Sequence, residues 1–450
     1  MELQYNLSNF DREAGNFPQL PVINMFSEEV VTEKSVALQS RPGLQNSDIS
    51  FGASPVRSVY KSDGVLSNTL FGVAASSLYS SEGLIGLIDG GNTVSHAGYN
   101  DFLFTAAGGQ LWGYDGTTLA AIAMPDDLGA LKVVTGSSRG IILAKDTQKF
   151  YWTEPLDTVV DPLNFASAEY SDDRLLDMLF VGDTLILFGT NTVEFWPVSS
   201  DPALPFQPLV GRVFPVGVKS LGCAVSLGST YAWVTNRNQV CIATPDKVVS
   251  DLGLETKIGN SSSVNLWTFT LAGTEFLVLT LDTETWVLNP RNEGRWFKFE
   301  SYGEDNWLPK CFGAGYFGSS DRGTLLEWSN DYSDFGGVLE RRVRGWAPID
   351  SGTIVINNFS VRTNPGRTPF LTSSYLDPQI ELRTSRDAGA SFTPWKTRSL
   401  GRQGAFKQQT RWNGLGMFSY PGLLAEIRVT DPVPFRVSGL SVNDKYVGSQ

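Results

Sequence analysis

Histidine is nearly absent: the 450 residues contain one, His96. A single imidazole removes any multi-histidine metal centre and leaves histidine-dependent catalysis with one residue to use. Cysteine is almost as scarce. Cys223, Cys241 and Cys311 lie far apart in sequence, so neither a disulfide framework nor a four-thiolate zinc site can be assembled. No catalytic residue, cofactor site or metal site is therefore expected. Helical periodicity is hard to find, and no apolar run approaches the ~18 residues of a membrane span. The first residues also lack the basic start and apolar core of a signal peptide, so the expectation is a chain that is soluble when made. Charged residues are few, 18% against 41% hydrophobic, which is the balance of a packed globular chain.

What is present is charge divided along the chain. From Arg341 to the end there are 15 Lys+Arg against 7 Asp+Glu, a charge of +8, while residues 1–340 carry 20 against 40 and a charge of −20. The bases fall in strand-like segments near aromatics: Arg341, Arg342 and Arg344, then Arg398, Arg402, Lys407 and Arg411. These seven are the candidate interface residues. Such segments suit contacts to phosphates or docking against acidic protein, and the chain's own acidic body favours docking.

Between these extremes a unit recurs: an apolar strand, a tight polar turn, and a second strand that usually closes on an aromatic. The turns centre near Ala75, Gly108, Thr147, Thr190, Arg237, Thr283 and Ser320, spaced 33 to 47 residues apart. A period of roughly 40 to 50 residues with several strands each is the mark of a β-propeller, whose blades bury their faces only against neighbours. The spacing predicts an all-β chain with six or seven blades over residues 50–335. Tyr79, Trp112, Trp152, Trp196, Trp286 and Trp328 follow the turns and read as packing between blades.

Residues 1–49 are irregular, and residues 336–450 carry longer strands without the hairpin period. These flanks are expected to form a second, β-sandwich-like domain into which the propeller is inserted, with the N-terminal segment packing on the basic C-terminal region. One short helix is predicted, Ser171 to Leu179, with Ser171 as its N-cap and Asp172 and Asp173 in the first turn.

Three motifs match by pattern and differ in context. Gly136-Ser137-Ser138-Arg139-Gly140 has the spacing of a nucleophile elbow, but no helix follows and His96 precedes the serine. Gly313-Ala314-Gly315-Tyr316-Phe317-Gly318 has dinucleotide-loop spacing, yet a hairpin follows it in place of the helix that must receive the pyrophosphate. Ser385 to Phe392 fits the Asp box of sialidase-like propellers, a hairpin turn in which Asp387 bonds turn amides and Gly389 takes positive φ. The box supports a hairpin, and only weakly a carbohydrate-binding or sialidase-like propeller protein, the alternative reading.

Three stretches together resemble one family. They are Leu20–Phe26 with Ser40-Arg41-Pro42-Gly43-Leu44; Lys149–Thr153 through Pro162–Phe165 to Gly182–Gly189 and Thr192–Trp196; and Leu382–Ser385 through Trp395, Leu400-Gly401 and Arg411-Trp412 to Asp431–Phe435. The family is that of the tail hub or nozzle proteins of short-tailed bacteriophages, also called packaged-DNA stabilisation proteins or tail accessory factors. The resemblance implies a structural virion protein with no enzymatic activity, a homo-oligomeric ring in which six copies are usual. The ring sits below the portal and adaptor proteins, retains the genome and provides the channel through which genomic DNA is ejected. Tail fibres or tailspikes and a tail plug or needle are the further partners implied, with assembly in the host cytoplasm and residence in the phage tail.

Overall fold

The computed structural model describes residues 4–5, 20–30, 35–88, 90–91, 93–99, 101–291, 295–368 and 375–443, so most of the N-terminal segment before Leu20 lies outside the described residues. The chain divides into two compact units. One holds residues 46–282 and 308–327, the other residues 1–45, 283–307 and 328–450.

The first unit is the propeller. Its leading strands are Val56–Tyr60, Val94–Tyr99, Ala130–Gly136, Leu175–Val181, Ala224–Leu227, Asn265–Leu271 and Pro309–Gly313. Each touches the next, and the last touches the first, so the ring of blades closes at seven. Behind the leading strand of each of the first four blades come three more antiparallel strands in chain order, as in Arg139–Ala144, Lys149–Thr153 and Val160–Ser167 of the third. The Phe51 N–H donates to Gly323 O at 2.8 Å and ties the entry of the first blade to the seventh.

Second strands such as Arg139–Ala144 and Thr184–Gly189 are buried almost throughout, so they read as unbroken apolar runs. The core lies between blades: Phe150, Trp152, Trp196 and Phe206 pack the third against the fourth, with Phe150 and Trp196 ring centroids 5.3 Å apart. The four leading strands that begin at Val56, Ala130, Leu175 and Pro309 carry a register shift at their second residue. Such bulges raise the twist needed to turn a strand around a tight axis.

That axis is closed at one end. A Cβ on Gly222, just before the fifth blade, would lie 3.6 Å from Cγ2 of Thr93, just before the second, and 2.9 Å from Asn265 Oδ1 of the sixth. Blades two and five are not neighbours, so this approach spans the middle of the ring. His96 joins the first two blades at the same level of the fold, its Nε2 2.8 Å from Ser58 Oγ and its Nδ1 2.9 Å from Thr105 Oγ1.

The predicted helix at Ser171–Leu179 is not there. Leu175–Val181 is instead the leading strand of the fourth blade. The Asp173 carboxylate accepts from the N–H groups of Asn191 (2.7 Å) and Thr192 (3.0 Å), so it caps the turn of its own blade's hairpin and not a helix end. The α-helix among the described residues is Leu252–Asn260, where Asp251 Oδ1 accepts from Gly253 N and Leu254 N and the buried face is Leu254 and Ile258.

The second unit has two sheets. Met25–Val30, Ser35–Ser40, Arg436–Val442, Thr353–Thr363 and Thr410–Ser419 lie side by side in one, so its strands come from both flanks of the chain. In the other, Thr285–Leu288, Trp296–Phe299, Val22–Ile23, Arg341–Pro348, Gly422–Val429, Gln379–Ser385 and Lys396–Ser399 follow in that order. The buried Trp412 of the first sheet donates its Nε1–H to Lys396 O of the second at 2.8 Å.

At the heart of this unit Arg41 is fully buried against Asp334. Its Nη1 and Nη2 reach Oδ1 and Oδ2 at 2.9 and 2.5 Å, and its Nε donates to Asn24 Oδ1 at 3.0 Å. The guanidinium lies 5.7 and 5.6 Å from the ring centroids of Phe299 and Trp307. Arg41→Met, which leaves the Asp334 charge buried and uncompensated, is expected to cost about 3–5 kcal/mol in urea unfolding. Adding Asp334→Leu is expected to recover part of it.

Burial pushes the His96 imidazole down to about 3, below the range in which it is normally half-charged. The unfolded chain therefore takes up that proton first. The stabilisation is complete above pH ~6.5 and falls by ~1.4 kcal/mol per unit as pH drops towards 3. His96→Gln is expected to make the acid limb of the stability–pH curve shallower by one proton. An unchanged slope would mean that His96 already titrates normally in the folded protein.

Candidate functional site

Of the seven bases singled out in the sequence, three are consumed inside the second unit. Arg341 is fully buried, and its guanidinium donates to the carbonyls of Val429 (3.2 Å), Val433 (2.9 Å) and Asp431. Burial pulls its pKa down to about 9, which leaves it charged at neutral pH. The expectation that it presents charge at an interface is corrected by this position: along the strand Arg341–Pro348 side chains alternate between faces, and Arg341 shares the buried face with Val343 and Ala347. Arg342 bonds Glu300 Oε1 at 2.7 Å and Glu340 Oε1 at 2.8 Å, and Arg344 bonds Glu426, which also holds Arg383 at 2.5 Å.

Around that last pair the sheet surface carries alternating guanidinium groups and rings. The Arg383 guanidinium lies 4.2 Å from the Phe392 centroid and 4.5 Å from that of Trp395, and Arg428 covers Trp395 at 4.1 Å while bonding Glu381 at 2.5 Å. The segment that supplies both rings begins in the Asp box. There Asp387 accepts from Ser385 Oγ (2.6 Å), Ser391 N (2.8 Å) and Ser391 Oγ (2.5 Å), bonds that hold its carboxyl well below the usual range. Every one of these carboxylate bonds is spent on the box's own turn.

The remaining candidates are at the surface. Arg398, Arg402 and Lys407 are exposed and Arg411 is half-buried. Exposed Arg362, Arg367 and Lys396 join them, and the loops carrying these bases converge: Gly404 N donates to Gly366 O at 3.2 Å and Leu400 N to Pro378 O at 2.7 Å. Sequence reading missed Arg362 and Arg367 because they stand alone in the chain. Equally missed was an acidic cleft lined by Glu300, Tyr302, Glu304, Asp305 and Glu340 around Arg342, whose members come from two distant stretches of sequence.

The other two motifs are hairpin turns. Gly136–Gly140 is the turn between two strands of the third blade, with Ser137 and Ser138 at φ 50 and 57°. Gly313–Gly318 is likewise a hairpin, with Ala314 and Gly315 at its tip. The thiols of Cys223, Cys241 and Cys311 are pushed up by burial, to about 11, 12 and 12.

Comparison with known proteins gives one strong likeness and several weak ones. The family model of bacteriophage P22 Gp10, beta-propeller, matches residues 10–307. No curated protein sequence matches the chain. Among solved structures, YCF48 from Cyanidioschyzon merolae is 11% identical over 64% of this chain and 98% of its own, with a TM-score of 0.40. Chaetomium thermophilum Raptor (10% identity, 65% of this chain and 29% of that one, TM-score 0.42) and the Cps50 (Swd1) beta-propeller domain of Myceliophteria thermophila (10%, 63% and 100%, 0.38) are similar to the same degree. TM-scores this low carry no argument, and the propeller rests on the closed cycle of seven leading strands together with the family match. That match takes in most of the 450 residues, and the chain belongs to the family of bacteriophage P22 Gp10, phage structural proteins that stabilise packaged DNA.

Proposed function

We propose that this chain is a structural component of the tail of a phage particle, a ring of copies, six in number, below the portal and adaptor. The ring retains the packaged genome and forms the channel through which it leaves. The family match over residues 10–307 carries this reading. Tail fibres or tailspikes and a plug or needle are its further partners, and the subunit reaches the particle from the host cytoplasm.

The closed axis of the propeller supports a ring of several copies. A passage where Thr93 stands against Gly222 admits no duplex, whose major groove alone is about 12 Å wide. A channel for DNA therefore has to run between copies. Head-to-tail interfaces whose rotation closes make such a ring.

Within the subunit, we take residues 50–335 as the span of the propeller and residues 1–49 with 336–450 as a second domain, with which residues 283–307 and 328–335 group. The pairing of Val22–Ile23 with Arg341–Pro348, and of Ser35–Ser40 with Arg436–Val442, supports that grouping of the flanks. A role without catalysis fits the Asp box, whose carboxylate is bonded within its own turn. The sugar-binding alternative would use the 12 tryptophans for stacking on sugar rings, and none of them, all among the described residues, is exposed.

Particles assembled without this chain are expected to lose DNA on standing, read as DNA accessible to nuclease, and to be rescued by adding the purified chain before release. Particles that lack the chain yet keep their DNA as the complete ones do would sink the reading.

A further inference from the structure

We infer that copies of this chain join head to tail through the second unit, the exposed basic lobe of one copy seating on the acidic cleft of the next. The inference rests on the ring reading above and names the surfaces that make it.

The two surfaces lie at opposite sides of one sheet. Lys396–Ser399, all but its last residue exposed, is the edge strand of that sheet; the lobe built on it adds Arg362, Arg367, Arg402 and Lys407 to Lys396 and Arg398. None of these six bases has a carboxylate partner among the described residues. Five strand positions away lies Trp296–Phe299, and the cleft begins at the residue that follows it. At about 4.8 Å per strand the separation is roughly 24 Å. Among the described residues, the cleft and its rim carry Glu284, Glu300, Glu304, Asp305 and Glu340 against Lys298 and Arg342, and Glu304 and Asp305 are exposed.

A two-fold contact could also pair each lobe with the other copy's cleft, but it would use up both surfaces and stop at two copies. Head-to-tail contact sets each lobe on a cleft and leaves the same pair of surfaces free at each end to continue. The apolar content of the surfaces favours protein over nucleic acid as the occupant. Phe406 is 67% exposed and Leu376 43% exposed within the basic lobe, and Tyr302 is 64% exposed beside Glu304. Aromatic and arginine side chains together make the core of protein interfaces, whereas the phosphates of a duplex offer nothing for Phe406 and Leu376 to bury against.

Two full-length variants test this. One carries Arg398→Glu, Arg402→Glu and Lys407→Glu; the other carries Glu304→Lys and Asp305→Lys. All five sites are exposed, and circular dichroism checks that each variant is folded. Assembly is read by sedimentation of the purified chain at low salt, and by the number of copies incorporated into particles. Each variant alone is expected to assemble at least tenfold less than the wild type. An equal mixture is expected to recover assembly, since each reversed lobe meets a reversed cleft and each native lobe a native cleft in an alternating ring. Wild-type assembly is expected to weaken as salt rises. A variant that assembles as well as the wild type, or a mixture no better than its parts, overturns the proposal while leaving the ring reading in place. So does a lobe variant that assembles normally but has lost binding to duplex DNA, which identifies the lobe as a phosphate contact. A wild-type chain that is monomeric in solution and single-copy in particles overturns the ring reading itself.

Discussion

The buried pair of Arg41 and Asp334 is the constraint on which the second unit depends. A charged pair taken out of water is favourable only if nearly all its hydrogen bonds are met, and here they are. Arg41 spends its donors on Asp334, on Asn24 Oδ1 and on the carbonyls of Pro42 and Glu300, while the Leu44 N–H donates to Asp334 Oδ1 at 3.1 Å. Asn24 in turn accepts from Glu300 N at 3.1 Å and donates to Glu340 O at 2.8 Å. Segments near residues 24, 41, 300 and 334 must therefore meet in one arrangement for any of them to be satisfied. Gly43 belongs to the same device, because a Cβ there would stand 2.1 Å from Ser333 O. Two short stretches that looked like separate family marks, one around Asn24 and one at Ser40–Leu44, are the two halves of a single buried site.

The same logic explains why the basic C-terminal region has two faces. Arg341 is wrapped by the loop Asp431–Phe435, whose carbonyls of Asp431 and Val433 point at it, and that loop is pinned where Gln379 N donates to Asp431 Oδ2 at 2.6 Å. Arg344, Arg383 and Arg428 neutralise Glu426 and Glu381 under a roof of Phe392 and Trp395. Subtracting these internal pairs leaves the surplus charge concentrated at one edge of the sheet. A net count along the chain locates the surplus in the right third of the sequence, but cannot tell a guanidinium that holds the core from one that faces water.

The blades were legible where burial is complete. Second strands covered on both faces, such as Arg139–Ala144 and Thr184–Gly189, leave continuous apolar runs, and each is followed by a tight turn, so strands two and three of a blade stand out. Outer strands do not: Val160–Ser167 is largely exposed and carries no period to find. Leading strands were misread for another reason. In Leu175–Val181, Asp177 sits fully buried at a bulge, where it bonds Lys132 at 2.5 Å and accepts from Gly222 N at 2.9 Å, a role set by neighbouring blades and invisible locally. The acid-rich start Ser171–Asp173 then looked like a helix N-terminus when its carboxylate was in fact a turn cap. The candidate interface was half legible: exposed Arg398, Arg402 and Lys407 were found from charge alone, whereas the acidic cleft needed the fold to bring Glu300 and Glu340 together.

The axis of the blade ring narrows to a contact across its middle. The seven leading strands touch their neighbours around the ring, and Thr93, just before the second, approaches Gly222, just before the fifth, across its middle. Such a blade ring is a stiff body with its cores between blades, and it has no pore to lend. On the ring reading proposed above, a chain that has to surround DNA obtains its curvature from contacts between subunits. A sheet with bases at one edge and acids toward the other gives those contacts a direction. In the ring proposed above, that direction comes from exposed bases at one edge of the sheet and from exposed Glu304 and Asp305 toward the other.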